Sequence, residues 1–146
     1  MRYTIFWPVI ALVALTAAVW VRMYVERLGE MRVRRISPQK VATSRAAAGV
    51  LENVAAADNF RNLFEVPVLF YAVCCALAIT DTVTTLQLAL AWLFVLARVA
   101  HTFVHVTYNR VIHRFTLYVA GTLLVFAMWA VFAFQLAARI HSEAPA

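Results

Sequence analysis

The sequence predicts an all-α integral membrane protein, a bundle of four transmembrane helices forming one domain over residues 1–146. Three observations predict it. The chain is 64% hydrophobic, with a mean hydropathy of +0.79, beyond the apolar share of a soluble domain. Its apolar residues are gathered into four blocks of the length that crosses a hydrocarbon core of about 30 Å. Its net charge of +6 lies mostly between blocks, in two connections. Basicity placed in this way orients a membrane protein, and nucleic acid is not an expected partner.

The first span is expected over about residues 5–27. Its apolar core runs from Ile5 to Val21, with Pro8 in the first turn, where a missing N–H costs nothing. Trp7 and Trp20 near its ends suit the two membrane interfaces. Arg2 and the small pair Ala17-Ala18 also admit a signal peptide, against which the poor cleavage pattern counts. Residues 28–59 form a basic connection holding Arg32, Arg34, Arg35, Lys40 and Arg45. Ser37-Pro38 marks a turn there, and the alanine-rich stretch 46–57 can re-form a helix.

The second span is expected over about 60–80, the third over 83–106 and the fourth over 113–139. Pro67 near the start of the second is tolerated where neighbours re-satisfy the freed carbonyl. Asp81-Thr82 is a short turn, so the second and third spans form an antiparallel hairpin. Cys74 and Cys75 are adjacent and point about 100° apart on a helix, so they read as packing residues and not as a disulfide or metal pair. The first connection is rich in arginine, the third holds Arg110 and Arg114, and the second has only Asp81. The positive-inside rule then places connections one and three in the cytosol and both termini outside.

The chemistry gathers around Asn59-Phe-Arg-Asn-Leu-Phe-Glu-Val-Pro67, at the mouth of the second span. Arg61 and Glu65 are four apart and can pair on a helix, and Asn62 is three before Glu65 on nearly the same face. A carboxylate so close to hydrocarbon needs a partner or a polar cavity. On the third span Arg98, His101, Thr102 and His105 recur at i, i+3, i+4 and i+7, one helical face. Arg98 is expected to neutralise Glu65 in a structural ion pair between helices, with His101 and Thr102 donating further hydrogen bonds. Arg110, Arg114 and Tyr118 make a second tier at the cytosolic end. This surplus of cations implies an anionic ligand carrying a thiolate, carboxylate or phosphate. Against it stand a purely structural ion pair, loop arginines that only set topology, and a metal or haem on His101 and His105. The HxxxH spacing is weak by itself, and its face carries no carboxylate or cysteine, so no metal site is expected.

Arg61-Asn62-x-x-Glu65-x-Pro67, Ala97-Arg98-Val99-Ala100-His101-Thr102 and Arg114 at the head of the fourth span together resemble the MAPEG family, the membrane-associated proteins of eicosanoid and glutathione metabolism. The run from Arg98 to Thr102 is most similar to the branch of microsomal glutathione transferases and membrane prostaglandin E synthases. The resemblance implies a homotrimer of four-helix protomers, with glutathione as cosubstrate in clefts between subunits that open to the cytosol. It implies that Arg61, Asn62, Glu65 and His101 hold the charged ends of the peptide, Glu65 taking the α-amino group. It further implies that Arg32 holds a carboxylate, that Tyr118 contacts the ligand, and that Arg114 stabilises the thiolate beside a lesser Arg110.

Departures from the branch pattern qualify the activity. Phe115 replaces a serine after the catalytic arginine, His105 replaces a tyrosine four residues after the histidine, and Asp58 replaces an arginine three before Arg61. These changes argue against prostaglandin isomerase chemistry. The expectation is a glutathione transferase, with peroxidase activity where the electrophile is a hydroperoxide, acting on lipophilic molecules that partition from membrane lipid. The alternatives are a non-catalytic lipid-binding member and a small haem or quinone protein built on His101 and His105. The short chain, with no retention signal, favours a bacterial inner membrane over the endoplasmic reticulum.

Overall fold

The structure, a computed structural model, describes residues 2–52 and 54–143, so the end of the expected domain at 144–146 lies outside the described residues. A helical turn at Arg2–Ile5 leads into α1 (Phe6–Val33), and a second turn at Pro38–Val41 precedes α2 (Ser44–Val50). Four more helices follow: α3 (Ala55–Asn62), α4 (Val66–Thr80), α5 (Thr85–Val106) and α6 (Val111–Glu143). Four stretches are long and apolar enough to cross a membrane: Arg2–Val33, Ala55–Thr80, Thr85–Val106 and Val111–Ser142. The all-α, four-span architecture read from the sequence is present.

Helix boundaries depart from expectation at several places, α6 among them at Val111–Glu143 against 113–139, and three departures have a local reason. α1 runs to Val33, past the expected 27, because i,i+4 pairs support its polar half: Arg22 Nε meets Glu26 at 2.7 Å and Arg34 Nη1 meets Glu30 at 2.6 Å. Next, the stretch Asn59–Pro67 is not one helix. Pro67 has no N–H to donate and its ring crowds the carbonyl four residues back, so α3 stops at Asn62 and α4 starts afresh at Val66. Arg61 and Glu65 therefore do not stack one turn apart, nor do Asn62 and Glu65; Arg61 Nη1 turns to Asp58 Oδ1 at 3.4 Å. Finally, α5 begins at Thr85 and not at 83. Asp81 closes α4 in the left-handed region at φ 54°, and the Thr84 hydroxyl caps α5 by accepting the Gln87 N–H at 3.3 Å.

Between helices in lipid there is little hydrophobic drive, so close packing and interhelical hydrogen bonds hold the bundle. Leu12 and Val19 of α1 pack with Phe70, Cys74 and Leu77 of α4, Phe94 of α5, and Val125, Met128 and Phe132 of α6. The rings of Phe70 and Phe94 lie 4.7 Å apart at the centre. Gln87 Nε2 donates to the Met128 carbonyl at 3.1 Å, tying α5 to α6. Trp129 Nε1 donates to the Leu69 carbonyl at 3.1 Å, and Arg139 Nη1 to the Thr80 carbonyl at 2.6 Å, tying α6 to α4. Cys74 is buried and Cys75 exposed, both as free thiols.

The first connection is folded onto α1. Val41, Ala47 and Leu51 form a small core with Met31, Ile36, Val50 and Val54. Arg27 Nη2 donates to the Val41 carbonyl at 2.6 Å, and Arg34 Nη1 to the Val50 carbonyl at 3.0 Å. The expected helix over 46–57 is thus two helices, α2 and α3, separated by an extended Leu51.

Candidate functional site

Two helices and the end of a third converge on one cleft. Val111, Arg114, Phe115 and Tyr118 stand at i, i+3, i+4 and i+7 on the first two turns of α6, a single face. His101 faces them from α5 and Asn62 from the last turn of α3. Together these six residues line an open cavity of about 240 Å³. Four of them, Asn62, His101, Arg114 and Tyr118, are residues that the sequence picks out.

Glu65 joins this group through Tyr118, whose hydroxyl donates to Glu65 Oε2 at 3.3 Å. Arg114 is held from below. Its Nη1 donates to Asn109 Oδ1 at 2.7 Å, while its buried Nε has no partner among the described residues. Asn109 can play this role because it closes the turn after α5 in the left-handed region, φ 48°, with its N–H on the Val104 carbonyl at 2.9 Å. α6 carries no acidic residue in its first turn, so the partial positive charge of that helix end adds to Arg114 at the cleft.

The expected ion pair between Arg98 and Glu65 is not formed. Arg98 is 1% exposed, and its guanidinium lies between two rings, 5.0 Å from the centre of Tyr118 and 5.2 Å from that of Phe94. Among the described residues none of its three nitrogens has a hydrogen-bond partner. Tyr118 stands between cation and carboxylate: its ring face takes the arginine and its hydroxyl takes Glu65. Cation–π contact replaces the salt bridge. Thr102 likewise donates to Asn59 Oδ1, at 3.4 Å, and not to Glu65.

Three expected ligand residues lie elsewhere in the chain. Arg61 lines a separate cavity of about 340 Å³ with Arg27, Asp58 and Phe60. Arg32 lines another, on the polar half of α1, with Val25, Leu28 and Ile36. Arg110 is exposed in the turn before α6. Two polar residues that the sequence left without a role take part in these contacts. Asn59 is fully buried and accepts from Thr102, its Nδ2 without a partner among the described residues, and Asn109 orients Arg114. Asn109 had a legible signal, since asparagine between two helical blocks favours a left-handed cap; Asn59 had none beyond its place in the stretch.

His101 and His105 have ring centres 5.5 Å apart but line different cavities, His101 the cleft and His105 one bounded by Glu26, Asp58 and Thr107. Among the described residues no group of three or more histidine, cysteine, aspartate or glutamate side chains is arranged to hold a metal ion.

Chemically, the cleft offers a guanidinium, an imidazole, an amide and a phenol, with one carboxylate behind the phenol. Such donors suit an anion better than a cation, and Arg114 is the one fixed charge at its wall. At about 240 Å³ it is smaller than the common range for ligand pockets and open on one side. No curated protein matches the chain, and no solved structure does. A sequence model of one family, described as the MAPEG family, matches residues 5–134.

Proposed function

The chain belongs to the MAPEG family, and from that premise we propose that it is a membrane-bound glutathione transferase, with peroxidase activity toward lipophilic hydroperoxides. One observation carries this reading: Asn62, His101, Arg114 and Tyr118, drawn from three helices, share one cleft with Glu65 bonded to its rim. Glutathione presents two carboxylates, an ammonium and a thiol. Glu65 and Tyr118 suit the ammonium end, and Asn62 and His101 suit a carboxylate. Arg114 and the α6 terminus suit the thiolate.

In this mechanism Arg114 lowers the free energy of the ionised thiol by placing a fixed positive charge beside the sulfur, favouring the nucleophile at neutral pH. Glutathione supplies the nucleophilic sulfur when bound. Phe115 and Val111 keep the mouth of the cleft apolar, so a lipophilic electrophile can enter from the bilayer. The protein contributes orientation and electrostatics and forms no covalent intermediate of its own.

The cleft of one protomer is too small to enclose a tripeptide, and Arg32 is out of its reach. Both fit a homotrimer in which a neighbouring subunit closes the cleft and brings Arg32 to a carboxylate. The arginines of the first and third connections fit a cytosolic opening, and a bacterial inner membrane is the proposed location. A second reading, a non-catalytic lipid-binding protein, has its own support. A groove of about 420 Å³ between α1, α3 and α4 is lined mostly by apolar side chains, among them Trp20, Phe60 and Phe64.

Equilibrium dialysis of labelled glutathione against detergent-purified protein separates the two. The transferase reading expects saturable binding that Asn62→Ala weakens about tenfold, the loss of one charge-assisted hydrogen bond. No saturable binding by the wild type would overturn it in favour of the lipid-binding reading.

A further inference from the structure

The cleft has a second polar cavity behind it, and two histidines stand between them. His101 lines the cleft, and one helical turn along α5 His105 lines a cavity of about 380 Å³ formed with Arg22 and Glu26 of α1, Glu52, Asp58, Thr107 and Asn109. His105 is 1% exposed, and among the described residues neither of its ring nitrogens has a hydrogen-bond partner. The imidazoles meet edge to face with centres 5.5 Å apart, close enough for their nitrogens to be joined directly or through one water. A buried polar side chain without a partner is costly, so one retained between two cavities calls for a function.

We propose that His101 and His105 form a proton exit path, carrying the proton released when glutathione ionises from the cleft to the carboxylate-lined cavity at the cytosolic end. This rests on the proposal that glutathione ionises beside Arg114. The S–H bond breaks, and sulfur keeps the electron pair as thiolate. A His101 nitrogen gains the proton while its other nitrogen passes one to His105. His105 hands a proton in the same way to Asp58 or to solvent in the second cavity, and both rings end neutral. The fixed charges run in the sense this needs. Arg98 and Arg114 bear on His101, and Arg114 and Asp58 bear on His105, so only the outer ring has a carboxylate at hand. Arg22, Glu26 and Glu52 complete the charged groups around that outer cavity; Arg22 is paired with Glu26 at 2.7 Å and Glu52 with Arg34 at 3.3 Å. Asp58 shares only a long contact of 3.4 Å with Arg61, which leaves it an acceptor.

The test is stopped-flow mixing with glutathione, reading thiolate absorbance and, with a pH-indicator dye in weak buffer, proton release. In the wild type the two signals should rise together. In His105→Gln both should slow at least tenfold while reaching the same final thiolate amplitude, and added imidazole should restore the rate. In Asp58→Asn, a half-exposed position that keeps the fold if His105→Gln does not, the rate should fall about threefold. Unchanged rates in His105→Gln, or in Asp58→Asn where only that variant folds, would overturn the path and leave the thiol to ionise through the open cleft. Slowing that imidazole does not rescue would also overturn it, as the mark of a structural role. A wild type that binds glutathione and forms no thiolate would remove the parent reading as well, and that outcome is distinct because it is already seen without any variant.

Discussion

Tyr118 does two jobs that the sequence divides among other residues. Its ring face accepts the Arg98 guanidinium at 5.0 Å and its hydroxyl donates to Glu65 at 3.3 Å, so one side chain buffers a buried cation from a carboxylate. Removing only the hydroxyl, in Tyr118→Phe, keeps the ring contact and frees Glu65 to move. The loss of one hydrogen bond to a charged group, about 1.5 kcal/mol, should raise the glutathione Kd about tenfold by calorimetry with little change in thermal stability. Gly121 faces the other side of Arg98. A methyl there would meet Phe94 at 3.6 Å and Arg98 Nε at 3.7 Å, ordinary contacts, whereas a longer side chain would displace both. Gly121→Ala should therefore melt within a degree or two of wild type in detergent. Gly121→Leu should lose about 1–3 kcal/mol, the usual cost of overpacking. The charge pattern made Arg98 a salt-bridge partner because spacing shows which face a residue shares but not which neighbour meets it. The phenol that intervenes comes from a helix that follows in the chain.

Helices as units were legible in outline and misplaced in detail. Four apolar blocks became four spans because hydropathy summed over some twenty residues outweighs local propensity. The break at Leu63–Glu65 was harder to see. A proline inside an apolar block is tolerated in membranes by kinking as often as by stopping, and here α4 restarts instead. That restart is what sends Arg61 away from Glu65 and toward Asp58, so a boundary misplaced by three residues also misplaced that pairing. The folded first connection was also hidden, since its hold on α1 runs through side chains meeting carbonyls. Arg34 reaches Glu30, Glu52 and the Val50 carbonyl at 2.6, 3.3 and 3.0 Å. Arg34→Ala should loosen residues 44–52, seen as faster tryptic cleavage after Arg45. Global stability should change by less than about 1 kcal/mol, because Arg34 is 40% and Glu52 83% exposed, although Glu30 is only 13% exposed.

For the whole molecule, composition and charge placement carried the architecture, and the clustering of Asn62, His101, Arg114 and Tyr118 needed coordinates. The proposed orientation rests on the arginines of the first and third connections and is open to direct test. In a variant with Cys74 and Cys75 replaced, a single cysteine at Lys40 should react with an impermeant maleimide only when the cytosolic face is accessible. One at Thr82 should react only from the opposite face. The reverse pattern would contradict the proposed topology. The open, undersized cleft and the distant Arg32 belong to this scale too, because both bear on the proposed homotrimer. The central claim is that Arg114 makes glutathione a nucleophile at this cleft, and ultraviolet thiolate absorbance at neutral pH on mixing glutathione with purified protein tests it most directly. The account predicts a clear signal in the wild type and its loss in Arg114→Ala with glutathione still bound. An equal signal in Arg114→Ala, or none in a wild type that binds glutathione, would contradict it.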